Sequence, residues 1–167
     1  MIIIQKIIYR VKSIIKTCFW KLLYFDKFKC GKFTFFYPYC HIILGNHGKI
    51  LIGNNCFFNR NCSINSLEKI TIGNDCIFGE NVSLYDHNHK FSDLNKLIRK
   101  QEYNVGKIEI GNNCWIGSNV TILKGVSIGS NVIVGANTVI DHDIPSNVIV
   151  CGSRQLEIME RKGLYES

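Results

Sequence analysis

Only two prolines interrupt the 167 residues, and no two cysteines stand in a Cys-x-x-Cys spacing. With so little proline and 46% hydrophobic residues, neither a disordered nor a collagen-like chain fits, and the 14 glycines form neither a run nor a three-residue repeat. The missing cysteine pairs remove the usual zinc-ligand spacing, and no metal is expected. No apolar run crosses a bilayer either. Lys6, Arg10, Lys12, Lys16 and Lys21 break every candidate window between Ile3 and Leu23, and no small-residue cleavage site follows, so neither a transmembrane helix nor a signal peptide is expected.

The length suits one domain with terminal elaborations. Twenty basic against 13 acidic residues give a net charge of +7, which suits an anionic ligand or surface. The basic residues are scattered and accompany no nucleic-acid motif, so no nucleic-acid partner is expected. Four of the eight cysteines, Cys56, Cys62, Cys76 and Cys114, share one repeat position, and they read as small core residues in a reducing cytoplasm.

From Ile3 to Leu23 the apolar residues fall on one helical stripe, with the five basic side chains on the other face. This amphipathic helix is expected to cap the open end of a solenoid or to pack between subunits. A basic amphipathic helix with Phe19, Trp20, Tyr24 and Phe25 near its end is also suited to a peripheral contact with an anionic membrane.

A six-residue spacing of aliphatic or aromatic residues runs through Ile52, Phe58 and Ile64, then Ile72, Phe78 and Leu84. It resumes at Ile110 and continues through Ile116, Ile122, Ile128, Val134 and Ile140. Four places after each, except where the phase slips after Ile64 and the chain leaves the pattern after Leu84, stands a small or β-branched residue, so two positions in six point inward. Glycine follows the aliphatic position at Gly53, Gly73, Gly79, Gly111, Gly117, Gly129 and Gly135. Asparagine or aspartate recurs two places later at Asn55, Asn61, Asp75, Asn81, Asn113, Asn119, Asn131 and Asn137. Both kinds tolerate positive φ, so a corner every six residues is expected. The pattern predicts an all-β parallel solenoid with about five coils. The phase slips at Ser66 to Lys69, and a polar stretch at about 85–107 leaves the pattern as a projecting loop. The expected organisation is a helical segment over 1–35, the repeat over 36–152 and a helical tail over 153–167.

Asp86-His87-Asn88-His89, at the mouth of that loop, is the cluster of titratable groups suited to proton transfer near neutral pH, and His87 is the candidate base. Together with Ile-Gly-Asn-Asn-Cys-Trp-Ile-Gly-Ser-Asn-Val at 110–120 and Asp143-Ile144-Pro145, this cluster resembles the hexapeptide-repeat acetyltransferases. The similar branch holds the galactoside and maltose acetyltransferases and the O-acetyltransferases of capsule and O-antigen; the resemblance covers roughly residues 42–152.

The resemblance implies a left-handed solenoid and a homotrimer with active sites between neighbouring subunits. It implies acetyl-coenzyme A as co-substrate and a sugar or polysaccharide hydroxyl as acceptor. His87 falls on the family's catalytic histidine; Asn59 falls on its acceptor-side asparagine, with Asp86, Ser66 and Glu68 as further acceptor contacts. Trp115, Gly117, Ser118 and Ala136 fall on the cofactor groove. Asn59 reads equally as a turn residue, and Trp115 equally as a subunit contact. Where relatives carry Thr-Lys and Gly-x-Pro-Ala-Lys, this chain has Asp141-His142 and Gly152-Ser153-Arg154-Gln155-Leu156, leaving Lys124 and Arg154 as replacement contacts for the nucleotide end. Three alternatives stand beside this one: acetylation of an amine on a nucleotide-linked sugar or on serine, a zinc site drawn from His41, His47, His87, His89 and His142, and a non-catalytic scaffold.

Overall fold

The structure is a computed structural model and describes residues 2–152. Arg154 and the tail expected over 153–167 lie outside the described residues. A helix, α1 (Ile2–Tyr24), precedes coil one, which is built of β1 (Phe28–Cys30), β2 (Phe35–Phe36) and β3 (His41–Leu44). Coil two holds β4 (Ile50–Ile52), β5 (Phe57–Phe58) and β6 (Ser63–Ser66), and coil three holds β7 (Ile70–Ile72), β8 (Ile77–Phe78) and β9 (Ser83–Tyr85). An antiparallel hairpin of β10 (His87–His89) and β11 (Tyr103–Val105) then leaves the stack. Coil four resumes with β12 (Ile108–Ile110), β13 (Trp115–Ile116) and β14 (Thr121–Ile122), and coil five follows with β15 (Ser127–Ile128), β16 (Ile133–Val134) and β17 (Val139–Ile140). A bridge at Ile144 and strand β18 (Ile149–Val150) begin a sixth.

Each strand pairs in parallel with its counterpart one coil away, so the coils form three flat sheets around a narrow core. The hairpin interrupts nothing, because β12 pairs with β7 in register, Ile108 on Ile70 and Ile110 on Ile72, as if the excursion were absent. The two inward positions of the repeat are the core: Ile64, Phe78, Leu84, Ile116 and Ile122 with Val82, Cys76 and Val120 are all essentially inaccessible. Phe36, Phe58 and Phe78 stack face to face through three coils, with ring centroids 4.6 and 4.3 Å apart.

Positive φ divides the corner residues differently from expectation. All eight asparagine and aspartate positions adopt it, from 53° to 60°, whereas the glycines beside the aliphatic positions do not. Those glycines are required by close stacking instead: a Cβ on Gly117 would lie 2.6 Å from the backbone nitrogen of Ala136 in the next coil.

One boundary differs from expectation. The solenoid starts at Phe28, inside the segment expected to be helical to residue 35, because β1 already pairs with β4. Its aromatic coil lacks the Ile-Gly-Asn signature that marks the later ones. α1 does cap the open end, but with the opposite face from its aliphatic stripe. At about 100° per residue, Tyr9, Ser13, Lys16, Thr17, Trp20 and Tyr24 share the inward side. Ser13 and Thr17 are buried, and Trp20 stands edge-on to Phe36 at 5.1 Å, closing the phenylalanine stack. Ile4, Ile7, Val11, Ile14, Ile15 and Leu22 point outward.

Candidate active site

The site begins with the phase slip in coil two. The extra residues after β6 turn the chain so that two successive N–H groups, of Leu67 and Glu68, face the end of β9 one coil further on. Asp86 sits there with no accessible surface. Its Oδ1 accepts the Leu67 N–H at 2.8 Å, and its Oδ2 accepts the Glu68 N–H at 2.9 Å and the Ser66 hydroxyl at 2.6 Å. A buried carboxylate surrounded by donors in this way is fixed in place, since losing any of them would leave a polar group unpaired.

The fourth contact of Asp86 is with His87, whose Nδ1 lies 3.1 Å from Oδ1. A carboxylate oxygen only accepts, so Nδ1 is the donor, and in the neutral imidazole Nε2 keeps its lone pair. Tyr85 and Tyr103 stand edge-on to the imidazole at 6.4 and 5.3 Å, fixing its plane. The ring lines an open groove of about 460 Å³ together with Ser63, Asn65, Tyr85 and Tyr103. The arrangement can take a proton from a polar group entering the groove and pass it on. His89, the alternative histidine, is exposed and tilted against Tyr103 at 4.6 Å, with no carboxylate beside it.

One of the acceptor contacts expected from the resemblance is therefore corrected: Asp86 is fully buried and holds His87 instead of facing an acceptor. Ser66 donates its hydroxyl to Asp86 and also lines the groove, and Glu68 contributes its backbone N–H to Asp86. The other polar groups that line the groove, Ser63, Asn65 and the two tyrosines, are not marked out by the sequence. Ser63 and Asn65 are ordinary repeat residues there, and only their strand register beside Tyr85 brings them to His87.

The remaining expected residues gather elsewhere. Phe58, Phe78, Ile116 and Val134 are aligned coil over coil. Asn59 and Gly117 consequently fall in one corner column, and Ser118 and Ala136 in the next. Asn59 accepts the Arg60 N–H on its own Oδ1 at 2.9 Å, a turn contact, and does not line the His87 groove. Gly117 is buried, so it spaces the coils instead of presenting a surface. Trp115 lies just before that corner on the outer face of β13 and is 55% exposed. Lys124 lies at the other corner, one coil beyond Asp86, and lines a pocket with Asn88, His89 and Asn104 of the hairpin. His87 and the corner of Ser118 and Ala136 thus occupy opposite edges of one face, on the order of 15–20 Å apart along the strand direction, with Trp115 on the adjoining face just before that corner.

The projecting loop is stitched by an ion pair from Lys90 to Glu102 at 3.0 Å, which holds the Glu102 carboxyl below the usual range. Its tip exposes Leu94, Leu97 and Ile98. Among the described residues, no three histidine, cysteine, aspartate or glutamate side chains gather to hold a metal ion.

Residues 107–142 match the family model described as bacterial transferase hexapeptide, six repeats. The chain is 33% identical over 153 residues to the putative lipopolysaccharide biosynthesis O-acetyl transferase WbbJ of Escherichia coli K12, covering 70% of this chain and 77% of that protein. It is 36% identical over 104 residues to the putative acetyltransferase YJL218W of Saccharomyces cerevisiae, covering 62% of this chain but spanning only 52% of the yeast protein. Among solved structures, the hexapeptide-repeat acetyltransferase VCA0836 of Vibrio cholerae, complexed with acetyl-coenzyme A, superposes with a TM-score of 0.65 at 30% identity, over 76% of this chain and 68% of that one. The coil architecture, the six-residue phase and the extent of the match to WbbJ agree, and the chain belongs to the hexapeptide-repeat acetyltransferases.

Proposed function

We propose that the chain is an O-acetyltransferase that moves the acetyl group of acetyl-coenzyme A to a sugar hydroxyl, on a surface polysaccharide or its precursor. The observation that carries this reading is the buried Asp86 that accepts from His87 Nδ1 at the edge of the groove, so that Nε2 of the neutral ring is free to take a proton. His87 accepts the acceptor's hydroxyl proton while that oxygen bonds to the acetyl carbon and the carbon–sulfur bond breaks. The imidazolium then returns the proton to the departing thiolate. No covalent enzyme intermediate is needed.

The corner with Trp115, Ser118 and Ala136 suits the pantetheine arm, offering an exposed ring beside small side chains. That corner and His87 belong to different edges of one chain, which supports a homotrimer in which the corner of one copy meets the hairpin of its neighbour. The exposed Leu94, Leu97 and Ile98 at the loop tip are suited to such a contact. The eight cysteines form no disulfide among the described residues, in keeping with a cytoplasmic location. The sugar acceptor is supported by the likeness to WbbJ.

The test is thioester consumption against a panel of sugars, amino sugars and the native polysaccharide, run with the unaltered chain, His87→Ala and His89→Ala side by side. We expect transfer to a hydroxyl acceptor, lowered ~10²-fold or more by His87→Ala and far less by His89→Ala, with the melting temperature unchanged by His89→Ala and little lowered by His87→Ala, because Asp86 keeps its backbone and hydroxyl donors. Near-normal turnover by His87→Ala would remove the base from this mechanism, and acceptance of amines alone would favour N-acetylation.

A further inference from the structure

α1 lies across the mouth of the prism, because its side chains reach all three strands of coil one. The Lys21 ammonium donates to the Cys30 carbonyl at 2.9 Å, Ser13 Oγ accepts the Phe36 N–H at 2.7 Å, and the Tyr24 hydroxyl donates to the Ile42 carbonyl at 3.1 Å. The aliphatic stripe of Ile4, Ile7, Val11, Ile14, Ile15 and Leu22 consequently faces away along the solenoid axis, each side chain at least 50% exposed. With Ile3, Ile8, Phe19 and Leu23 also exposed beside it, the stripe exceeds the few hundred Å² of apolar patch that a monomer ordinarily shows.

What covers this face is indicated by charge. The helix contains Lys6, Arg10, Lys12, Lys16 and Lys21 and no acidic residue. A second copy laid against it would bring five more cations to the same border, whereas an anionic surface would be attracted by all of them. On the flank carrying Lys12 and Lys16, a groove of about 580 Å³ separates the helix from the first coils, lined also by Tyr9, Tyr37, Tyr39 and Arg60. None of its lining residues is acidic. The Arg60 guanidinium lies 5.9 Å from the centre of the Tyr9 ring, and Tyr9 in turn packs on Tyr37 at 5.4 Å. The Lys16 ammonium donates to the Cys40 carbonyl and lies 4.8 Å from the Trp20 ring centre. Partial burial lowers its pKa, and a bound anion would compensate that lost hydration.

We propose that α1 rests on the surface of an anionic phospholipid bilayer, with its aliphatic stripe in the acyl boundary and the groove of Lys12, Lys16 and Arg60 holding a lipid phosphate. Interfacial tyrosines and a basic flank are the features such a helix requires. The proposal rests on α1 and coil one and is independent of the chemistry at His87.

The experiment is flotation of the full chain with vesicles of phosphatidylglycerol and phosphatidylcholine in equal parts, or of phosphatidylcholine alone. Three double variants are compared with it: Ile7→Ser/Ile14→Ser in the stripe, Lys12→Gln/Arg60→Gln in the groove, and Lys49→Gln/Lys107→Gln elsewhere on the solenoid. We expect binding to the anionic vesicles that weakens with salt. The stripe variant should lose at least about tenfold, and the groove variant about fivefold for each cation removed, clearly more than the solenoid control. Native chain that does not float, or that binds both vesicles equally, overturns the proposal. So does a groove variant that loses no more than the control, or a stripe-dependent self-association without flotation, which would identify a second copy as the occupant. Acetyl transfer to a soluble sugar, measured without vesicles, reports separately on His87.

Discussion

Asp86 and His87 are adjacent in the chain, yet only one of their roles is visible in the sequence. His87 is legible because a histidine leaving the last regular strand at the mouth of an excursion has few structural duties. The role of Asp86 depends on the turn at Ser66 to Glu68, twenty residues earlier and one coil below, and residue order alone does not bring those N–H groups to its oxygens. The geometry makes Asp86 a positioning residue, and its replacement separates that role from mere packing. In Asp86→Asn one oxygen becomes an NH₂ group, which only donates, so at least one backbone N–H loses its acceptor. We expect stability to fall by about 1–3 kcal/mol. The kcat should fall ~10²-fold with KM for the acceptor little changed, as misorientation of a base requires. An Asp86→Asn enzyme that is less stable but retains its kcat would reduce the carboxylate to a structural prop.

The elements were legible in proportion to their regularity. The hexads of coils two to five are visible because inward residues, corner glycines and left-handed asparagines recur together, and β12 returns to the register of β7 despite the intervening hairpin. Coil one was hidden, since Phe28 and Phe36 occupy its inward positions without the neighbouring corner residues. The stripe of α1 was visible too, but not the face that meets the solenoid. Hydrophobic periodicity assigns the aliphatic side to a core, and here the fit of one tryptophan onto a phenylalanine stack prevails. Trp20→Ala should therefore destabilise the protein by about 3–5 kcal/mol as a buried aromatic truncation. Ile14→Ser, on the outward face, should change stability by no more than about 0.5 kcal/mol. Denaturant unfolding that ranked the two in reverse would place the aliphatic stripe against the protein body.

At the scale of the molecule, the expected residues separate into two edges of one face, a division invisible in the sequence, where His87 stands at the mouth of the excursion and Trp115 inside a hexad. If one copy supplies His87 and its neighbour supplies Trp115, two defective variants can complement each other. Refolding an equal mixture of His87→Ala and Trp115→Ala chains should restore about a quarter of the native interfaces, one in which each copy contributes its intact half. Activity no greater than the sum of the separate variants would place the whole site within a single chain. Sedimentation of the unmixed protein as a trimer is the companion expectation.

The bonds from α1 to coil one also bear on how far the stack extends. A parallel solenoid has no natural last coil, since each strand presents to the next the same N–H and C=O groups that it received. Lys16, Lys21 and Tyr24 occupy the Cys40, Cys30 and Ile42 carbonyls, and Ser13 occupies the Phe36 N–H, so those groups are withheld from a further strand. The helix is thus a terminator as well as a lid: with it removed, one molecule's first coil becomes a template for another's edge, and the expected product is a growing filament.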